Sequence, residues 1–246
     1  MLMPITLTER KVLSILLVSL FSLFLVTSAH ATVSIESTIE DNITVVCSLT
    51  NLSQPVYDAA KANPIFNGST IVQTIVQNLR NQNRTDVTQG FQFNTYDDAN
   101  RAIRVTFLLG GTDIITSTVN RTSLKRNTIV QTDWRKFQVS LTSNVSIDFA
   151  SYFAESVQNW QLTDYTDSNG NTHPSYYYET GEIEQFGKMS FRFILPSAAT
   201  NVQAEGDTIT YDVTLGFEDV LIGSPFAILA IIVIVVLIAL VYRRIR

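Results

Sequence analysis

Cysteine, histidine and basic charge are all scarce in this sequence. Cys47 is the one cysteine in 246 residues. No disulfide can form within the chain, so an exported domain must be held by its core alone. Cys47 sits in Ile43–Leu49, which reads as a strand, where a lone cysteine acts as a small buried hydrophobe. The sharper alternative is an intermolecular disulfide. Histidine occurs twice, as His30 and His173. One cysteine and two histidines cannot by themselves build a zinc site or a Cys-His or Ser-His-acid pair. No glycine-rich loop opens a helix to cradle phosphate. No catalytic, cofactor-binding or metal-ligating residue is assigned, and no cofactor is expected.

Between Thr32 and Tyr242 there are 21 acidic and 12 basic residues, a net charge of −9. Such a balance disfavours nucleic acid, whose backbone recruits Lys and Arg. The densest basic stretch, Arg121 to Lys136, reads as a solvated strand face. Fixed-period repeats, low-complexity linkers and a Ser/Thr/Pro stalk are also missing.

What the sequence does contain is apolar length at both ends. Pro225 to Tyr242 is 18 residues without a charge. As a helix it would span roughly 27 Å, close to the hydrocarbon thickness of a bilayer. Residues 220–242 are therefore expected to form one transmembrane helix. Arg243, Arg244 and Arg246 follow as a stop-transfer cluster, placing residues 243–246 in the cytosol. At the other end, Arg10 and Lys11 precede the apolar run Val12–Val26, and Ala29-His30-Ala31 supplies small residues at an A-x-A site. These features predict a signal peptide, residues 1–31, cleaved after Ala31. Residues 32–219 then form the extracytoplasmic domain, with the N-terminus outside.

Within that domain the dominant pattern is period two. Thr32–Glu40 and Ile43–Leu49 flank Asp41-Asn42 as a hairpin. A short helix starts at Ser53-Gln54-Pro55 and ends by Asn63-Pro64. Ile71, Val72, Ile75, Val76 and Leu79 form one helical stripe, predicting a packed helix over Ser69–Gln82 with Ser69 or Thr70 as its cap. Arg101–Leu109 alternates, Gly110-Gly111 reads as a hairpin turn, and Asp113–Val119 returns. Ile129–Leu141 reads as a long strand broken only by Asp133. A second helix is expected over Ala150–Asn159, and a final hairpin of Met189–Leu195 with Thr208–Leu215. The fold class is a β-rich α+β ectodomain, a mostly antiparallel sheet or curved sandwich with one clear packed helix, plus the C-terminal span. A division near residues 82–90 is the alternative to one domain.

Three sets of residues carry the functional expectations. Gln161–Thr166 and Thr172–Thr180 flank Asp167-Ser168-Asn169-Gly170-Asn171, predicting a protruding hairpin with Tyr165, Tyr176, Tyr177 and Tyr178 as partner-contact candidates, although alternation turns at least one inward. The same turn invites a calcium reading. With Gly170 as sixth loop residue, however, Tyr165 and Tyr176 would occupy the first and twelfth places, where carboxylates are needed. N-glycosylation sequons occur at Asn42, Asn51, Asn67, Asn83, Asn120 and Asn144, all before residue 145. Glu179, Glu182, Glu184, Asp97 and Asp98 are the carboxylates available for a hydrolase.

The tail from Ser224-Pro225-Phe226 to Arg246 resembles the sorting tails called PGF-CTERM or PEP-CTERM. That resemblance implies cleavage at the motif by a membrane transpeptidase. Ser-Pro-Phe stands here where Pro-Gly-Phe or Pro-Glu-Pro is usual. The expected function is a non-enzymatic, membrane-anchored surface protein whose domain binds a protein or glycan partner or contributes to an envelope layer. The alternatives are an accessory subunit assembled through its span, a processed surface protein, and a hydrolase using paired carboxylates.

Overall fold

The computed structural model describes residues 31–63, 66–183 and 186–216, together with Leu229, residues 232–235, Ile238, Tyr242 and Arg243. The expected signal peptide, except Ala31, and most of the expected span lie outside the described residues. Among the described residues no helix is long and apolar enough to cross a membrane.

The chain opens with β1 (Thr32–Ile39) and β2 (Ile43–Thr50), then α1 (Gln54–Ala62) and α2 (Gly68–Asn81). Strands β3 (Thr88–Asp97), β4 (Ala102–Gly110), β5 (Ile115–Asn120) and β6 (Lys125–Gln131) follow. After a 3₁₀ turn at Asp133–Arg135 come β7 (Gln138–Ser140), β8 (Ser146–Asp148), α3 (Phe149–Tyr152) and a second 3₁₀ turn at Val157–Asn159. The described domain closes with β9 (Gln161–Thr166), β10 (Thr172–Glu179), β11 (Met189–Ile194), β12 (Ala199–Glu205) and β13 (Thr208–Thr214). It is a sheet-dominated α+β architecture with several short helices.

Seven strands form the principal sheet in the order β3-β4-β2-β1-β11-β10-β9, and four form a second, β12-β13-β6-β5. Every pairing in the principal sheet is antiparallel except β1 with β11. Strict alternation explains why the sheet forms. In β1, Val33, Ile35, Ser37 and Ile39 are buried while Ser34, Glu36 and Thr38 are half-exposed. Register carries that face across the strands, so Val105, Cys47, Ile35, Phe191 and Tyr178 lie in one row. The second layer packs on this face: Trp134 meets Phe191 and Phe193 edge-on, with ring centres 6.0 and 5.9 Å apart. Trp160 stacks on Phe193 at 5.6 Å. Burying each such side chain contributes roughly 1.5–3 kcal/mol. Buried apolar residues from Val33 to Tyr211 join in one cluster that includes groups on both sides of residues 82–90.

α2 buries the whole stripe Ile71, Val72, Ile75, Val76 and Leu79 and packs against β3 and β4. Its cap is not Ser69 or Thr70. Asn67 Oδ1 accepts from the Thr70 backbone N–H at 2.9 Å, so the helix begins one residue earlier than expected. α1 starts after Ser53 with proline in its first turn, as the sequence indicates.

Four expectations need correction. Gly110-Gly111 is not a hairpin turn. β4 pairs with β2 and β3, whereas β5 pairs with β6 in the other sheet, so the two glycines carry the chain between layers. Gly111 has φ +102°, and a Cβ there would collide with the Asp86 carbonyl oxygen. The Ile129–Leu141 run is three elements, because the 3₁₀ turn drives Trp134 into the core. Ala150–Asn159 is not one helix: α3 stops at Tyr152 and a 3₁₀ turn follows at Val157. Finally, β11 pairs with β10 and β1 rather than with β13, which lies between β6 and the unforeseen polar edge strand β12.

Candidate functional site

The second face of the principal sheet is the one on which side chains alternate outward. The register places Phe93, Thr106, Val46, Glu36, Arg192, Tyr177 and Gln161 in one row across all seven strands. Ser34, Glu36, Thr38, Thr44, Val46 and Ser48 are each half-exposed here. A shallow recess of about 210 Å³ on the β2–β4–β3 part includes Ser48, Thr95, Tyr96 and Arg104 in its walls. A larger one, about 570 Å³, runs along the outer side of α2, with Gln73, Gln77, Asn78 and Arg80 among its lining.

The chemistry concentrates on β9, β10 and β11. The Arg192 guanidinium lies 4.4 Å from the ring centre of Tyr177 and 5.3 Å from that of Tyr165. Such placement over aromatic faces is attractive by roughly 0.5–2 kcal/mol per pair. Arg192 Nη1 donates to Ser175 Oγ at 2.8 Å and to Thr163 Oγ1 at 3.2 Å. Those two hydroxyls fix the side chain against the sheet. Nε and Nη2 have no protein acceptor among the described residues. Glu36, its neighbour on β1, forms no ion pair with it among the described residues. A planar cation thus stands between two half-exposed tyrosine rings on a polar face. That arrangement suits a carboxylate, or a sugar ring with an acidic substituent.

The four tyrosines of the hairpin divide by strand parity. Tyr165 and Tyr177 flank Arg192 on the outer face. Tyr176 is 5% exposed and lies opposite Phe193. Tyr178, half-buried, packs against the core: it stacks on Trp160 at 5.4 Å and meets Phe153 edge-on at 6.1 Å. Tyr177 Oη donates to Glu179 at 2.9 Å, and Lys188 closes the chain by donating to Glu179 at 2.7 Å. Burial first, then the bond to Glu179, raises the Tyr177 phenol above its ordinary range. Arg192 itself was missed from sequence. Its only signal was a lone cation in the alternation of Met189–Leu195, and its neighbours on β9 and β10 are remote along the chain.

The turn below this platform is self-satisfied. Asp167 accepts from the backbone N–H of Asn169 and Asn171, at 2.9 and 2.8 Å, and from Asn171 Nδ2 at 3.1 Å. Those donors, the backbone and side chain of Asn171 foremost, hold its carboxyl down to about 2. Its oxygens are occupied by the turn rather than presented to a cation. Among the described residues no group of three or more His, Cys, Asp or Glu is placed to hold a metal ion. His173 is tied down rather than free: Nδ1 lies 2.9 Å from the Leu195 carbonyl and Nε2 3.3 Å from Asp167.

The other sequence candidates are dispersed. Asp98 accepts from Tyr57 Oη and Lys61 Nζ, each at 2.6 Å, and Asp97 caps the turn through Ala99 and Asn100. Glu182 is exposed and Glu184 lies outside the described residues. Every described carboxyl group with a displaced titration is displaced downward. Asn42, Asn51, Asn83, Asn120 and Asn144 are exposed, and Asn67 is half-buried. The basic stretch is not a uniform solvated face. Arg135 is fully buried and bonds Asp207 at 2.8 Å, the Glu155 carbonyl at 2.7 Å and the Thr132 carbonyl at 3.0 Å.

The chain matches no family model, and no curated protein or solved structure shows significant similarity to it.

Proposed function

We propose that this chain is a non-enzymatic, membrane-anchored surface module whose β-rich domain binds an acidic glycan through the outer face of β9, β10 and β11. The observation that carries this reading is Arg192 standing between Tyr165 and Tyr177 with donors unclaimed among the described residues. Stacking on the rings and charge-assisted bonds to the guanidinium would act on the same sugar. The anchor rests on the sequence: the uncharged run Pro225–Tyr242 and the arginines after it. The described residues between 229 and 243 are helical, and Leu229, Ile232, Val233, Ile234, Val235 and Ile238 are exposed apolar side chains. Export rests on the signal sequence. β1 begins at Thr32, one residue after the expected cleavage point, and is central in the sheet. Cleavage there would leave the strand whole.

The test is a glycan array probed with the full chain in lipid nanodiscs, beside Arg192→Ala and Tyr177→Ala. Binding to uronic- or sialic-acid sugars should fall at least roughly ten-fold in each variant, matching the loss of a charge-assisted contact. Equal binding by Arg192→Ala would sink the site.

A second reading, assembly into an envelope layer, is favoured by β3. This edge strand carries Phe91 and Phe93, 53% and 51% exposed with rings 6.0 Å apart, and its one charge is Asp97. Long, charge-poor edges pair readily with another strand. Phe93→Lys should then abolish lateral assembly seen by electron microscopy and leave glycan binding intact.

A further inference from the structure

The described domain ends beside one hairpin. The Leu215 N–H donates to the Leu124 carbonyl at 2.9 Å, and Thr214 lies opposite Lys125 in the β13–β6 register. The last described residues of the fold therefore lie beside the tip of the β5–β6 hairpin. Four residues, Gly216–Asp219, separate Leu215 from the apolar sequence that starts at Val220. Fully extended, four residues reach about 14 Å. The tip cannot lie far from wherever Val220 enters the membrane.

The composition of the tip fits that position. Val119 and Leu124 are 52% and 46% exposed. Leu124 has φ +52°, a left-handed conformation that bulky side chains rarely adopt and that glycine or asparagine would take with less strain. Asn120 Oδ1 accepts from the N–H groups of Thr122 and Ser123 at 3.0 and 3.1 Å, which shapes the turn that holds Leu124 there. Around these apolar groups stand Arg121, Lys125 and Arg126. Lys125 lies 3.5 Å from Asp212, and Arg126 lies 3.5 Å from Asp41. Two of the three cations thus lie beside carboxylates, and the four residues after Leu215 add Glu218 and Asp219. The tip has little net charge to offer an anionic surface, so its apolar pair must dominate any lipid contact.

From this we infer that the β5–β6 tip is a membrane-contact element: Val119 and Leu124 enter the headgroup region of the bilayer that holds residues 220–242, and dock the domain in one orientation. This rests on the anchor reading above. It adds a specific surface, a neutral lipid interface as its partner, and a consequence. Docking at β5–β6 would fix the orientation of the outer face of β9–β11 relative to the bilayer.

The experiment uses the full chain in phosphatidylcholine vesicles, with an environment-sensitive dye on Leu124→Cys or Thr122→Cys and on Glu205→Cys as the distant control. Glu205 lies at the other end of the β12–β13 hairpin, roughly 20 Å along the strands. Cys47 is buried, with its thiol pushed up to about 12, and stays unlabelled. Nitroxide-bearing lipid should quench the dye at positions 124 and 122 at least roughly three-fold more than at 205, as expected for groups in the interface. Vesicle flotation with equal, weak quenching at all three positions would overturn the docking and leave the anchor standing. Failure of the chain to float with vesicles would overturn both. Quenching that requires anionic lipid would overturn the neutral-interface assignment.

Discussion

Tyr177 and Tyr178 are adjacent in sequence and belong to opposite sides of the sheet: one ring lies 4.4 Å from the Arg192 guanidinium, the other stacks 5.4 Å from Trp160. Their truncations should therefore have separable effects. Tyr178→Ala opens the aromatic cluster around Trp160 and Phe153 and should cost about 3 kcal/mol. Tyr177→Ala removes a half-exposed ring and should cost less than about 1 kcal/mol while weakening ligand binding. Urea unfolding midpoints, read beside binding, check this. Equal destabilisation would contradict the division of faces.

Arg135 should be among the most sensitive polar positions. Its side chain is fully buried, stacked 5.0 Å over Trp160, and ties Thr132, Glu155 and Asp207 together, while its Nε has no hydrogen-bond partner among the described residues. Asp207→Asn leaves that guanidinium without its carboxylate and should cost about 3–5 kcal/mol. Lys136→Ala removes only the second, more exposed partner of Asp207 and should cost less than about 1 kcal/mol. Comparable losses in the two variants would show that the pair is not the buried one.

Acid should weaken the fold through the same carboxylates. Burial pushes Asp207 upward, but Lys136 and Arg135 outweigh it and leave the group depressed. Asp167 is held near 2 by its turn donors. A carboxyl group depressed in the folded state binds protons more readily when unfolded. Its contribution is complete above the ordinary value of 3.8 and is lost as pH falls toward the folded value, near 2 for Asp167. Stability should be flat in this contribution above pH ~5 and decline between pH ~4 and ~2. Asp167→Asn should flatten that decline. An unchanged slope in the variant would remove Asp167 from the account.

Cys47 should be silent until the domain unfolds. It lies between Ile35 and Val105 in the core row, and burial pushes its thiol up to about 12. Thiol reagents should modify it in denaturant and not in native buffer, and non-reducing gels should show no disulfide-linked dimer. Rapid native labelling would contradict the packing.

Asn67 serves two readings that substitution can separate. Asn67→Ala removes both the cap and the sequon and should cost about 1 kcal/mol; Asn67→Asp removes the sequon but keeps a capping oxygen and should cost less. Asn144→Ala, at an exposed hairpin, should be neutral. Thermal melts of the unglycosylated protein report the difference. Equal loss in Asn67→Ala and Asn67→Asp would show that the side chain does not cap the helix.

Local pattern was sufficient wherever one short-range rule decided the outcome. The β1–β2 hairpin follows from alternation around Asp41-Asn42, α1 from a proline in the first turn, and the α2 stripe from 3.6-residue spacing. The buried state of Cys47 follows from its parity with Val45 and Leu49. The apolar lengths at the two ends, the sequons and the near-absence of Cys and His are also properties of sequence alone, and they set the expectations of export and anchoring.

Tertiary structure decided what depends on partners distant in the chain. The parallel pairing of β1 with β11 joins residues more than 150 positions apart, and no local signal encodes it. Gly110-Gly111 has the composition of a hairpin turn, but the strands beside it find better partners in different sheets. Arg135 looks like part of a basic run until the β12–β13 turn brings Asp207 to it. Arg192 and Tyr177 meet because β10 and β11 pair in a particular register, and Tyr165 joins them because β9 adds to the same edge. Sequence determines which residues alternate and which runs are apolar, because those are properties of neighbours. Which cation meets which ring is decided only when distant strands pair, because register fixes the face and the row of every side chain at once.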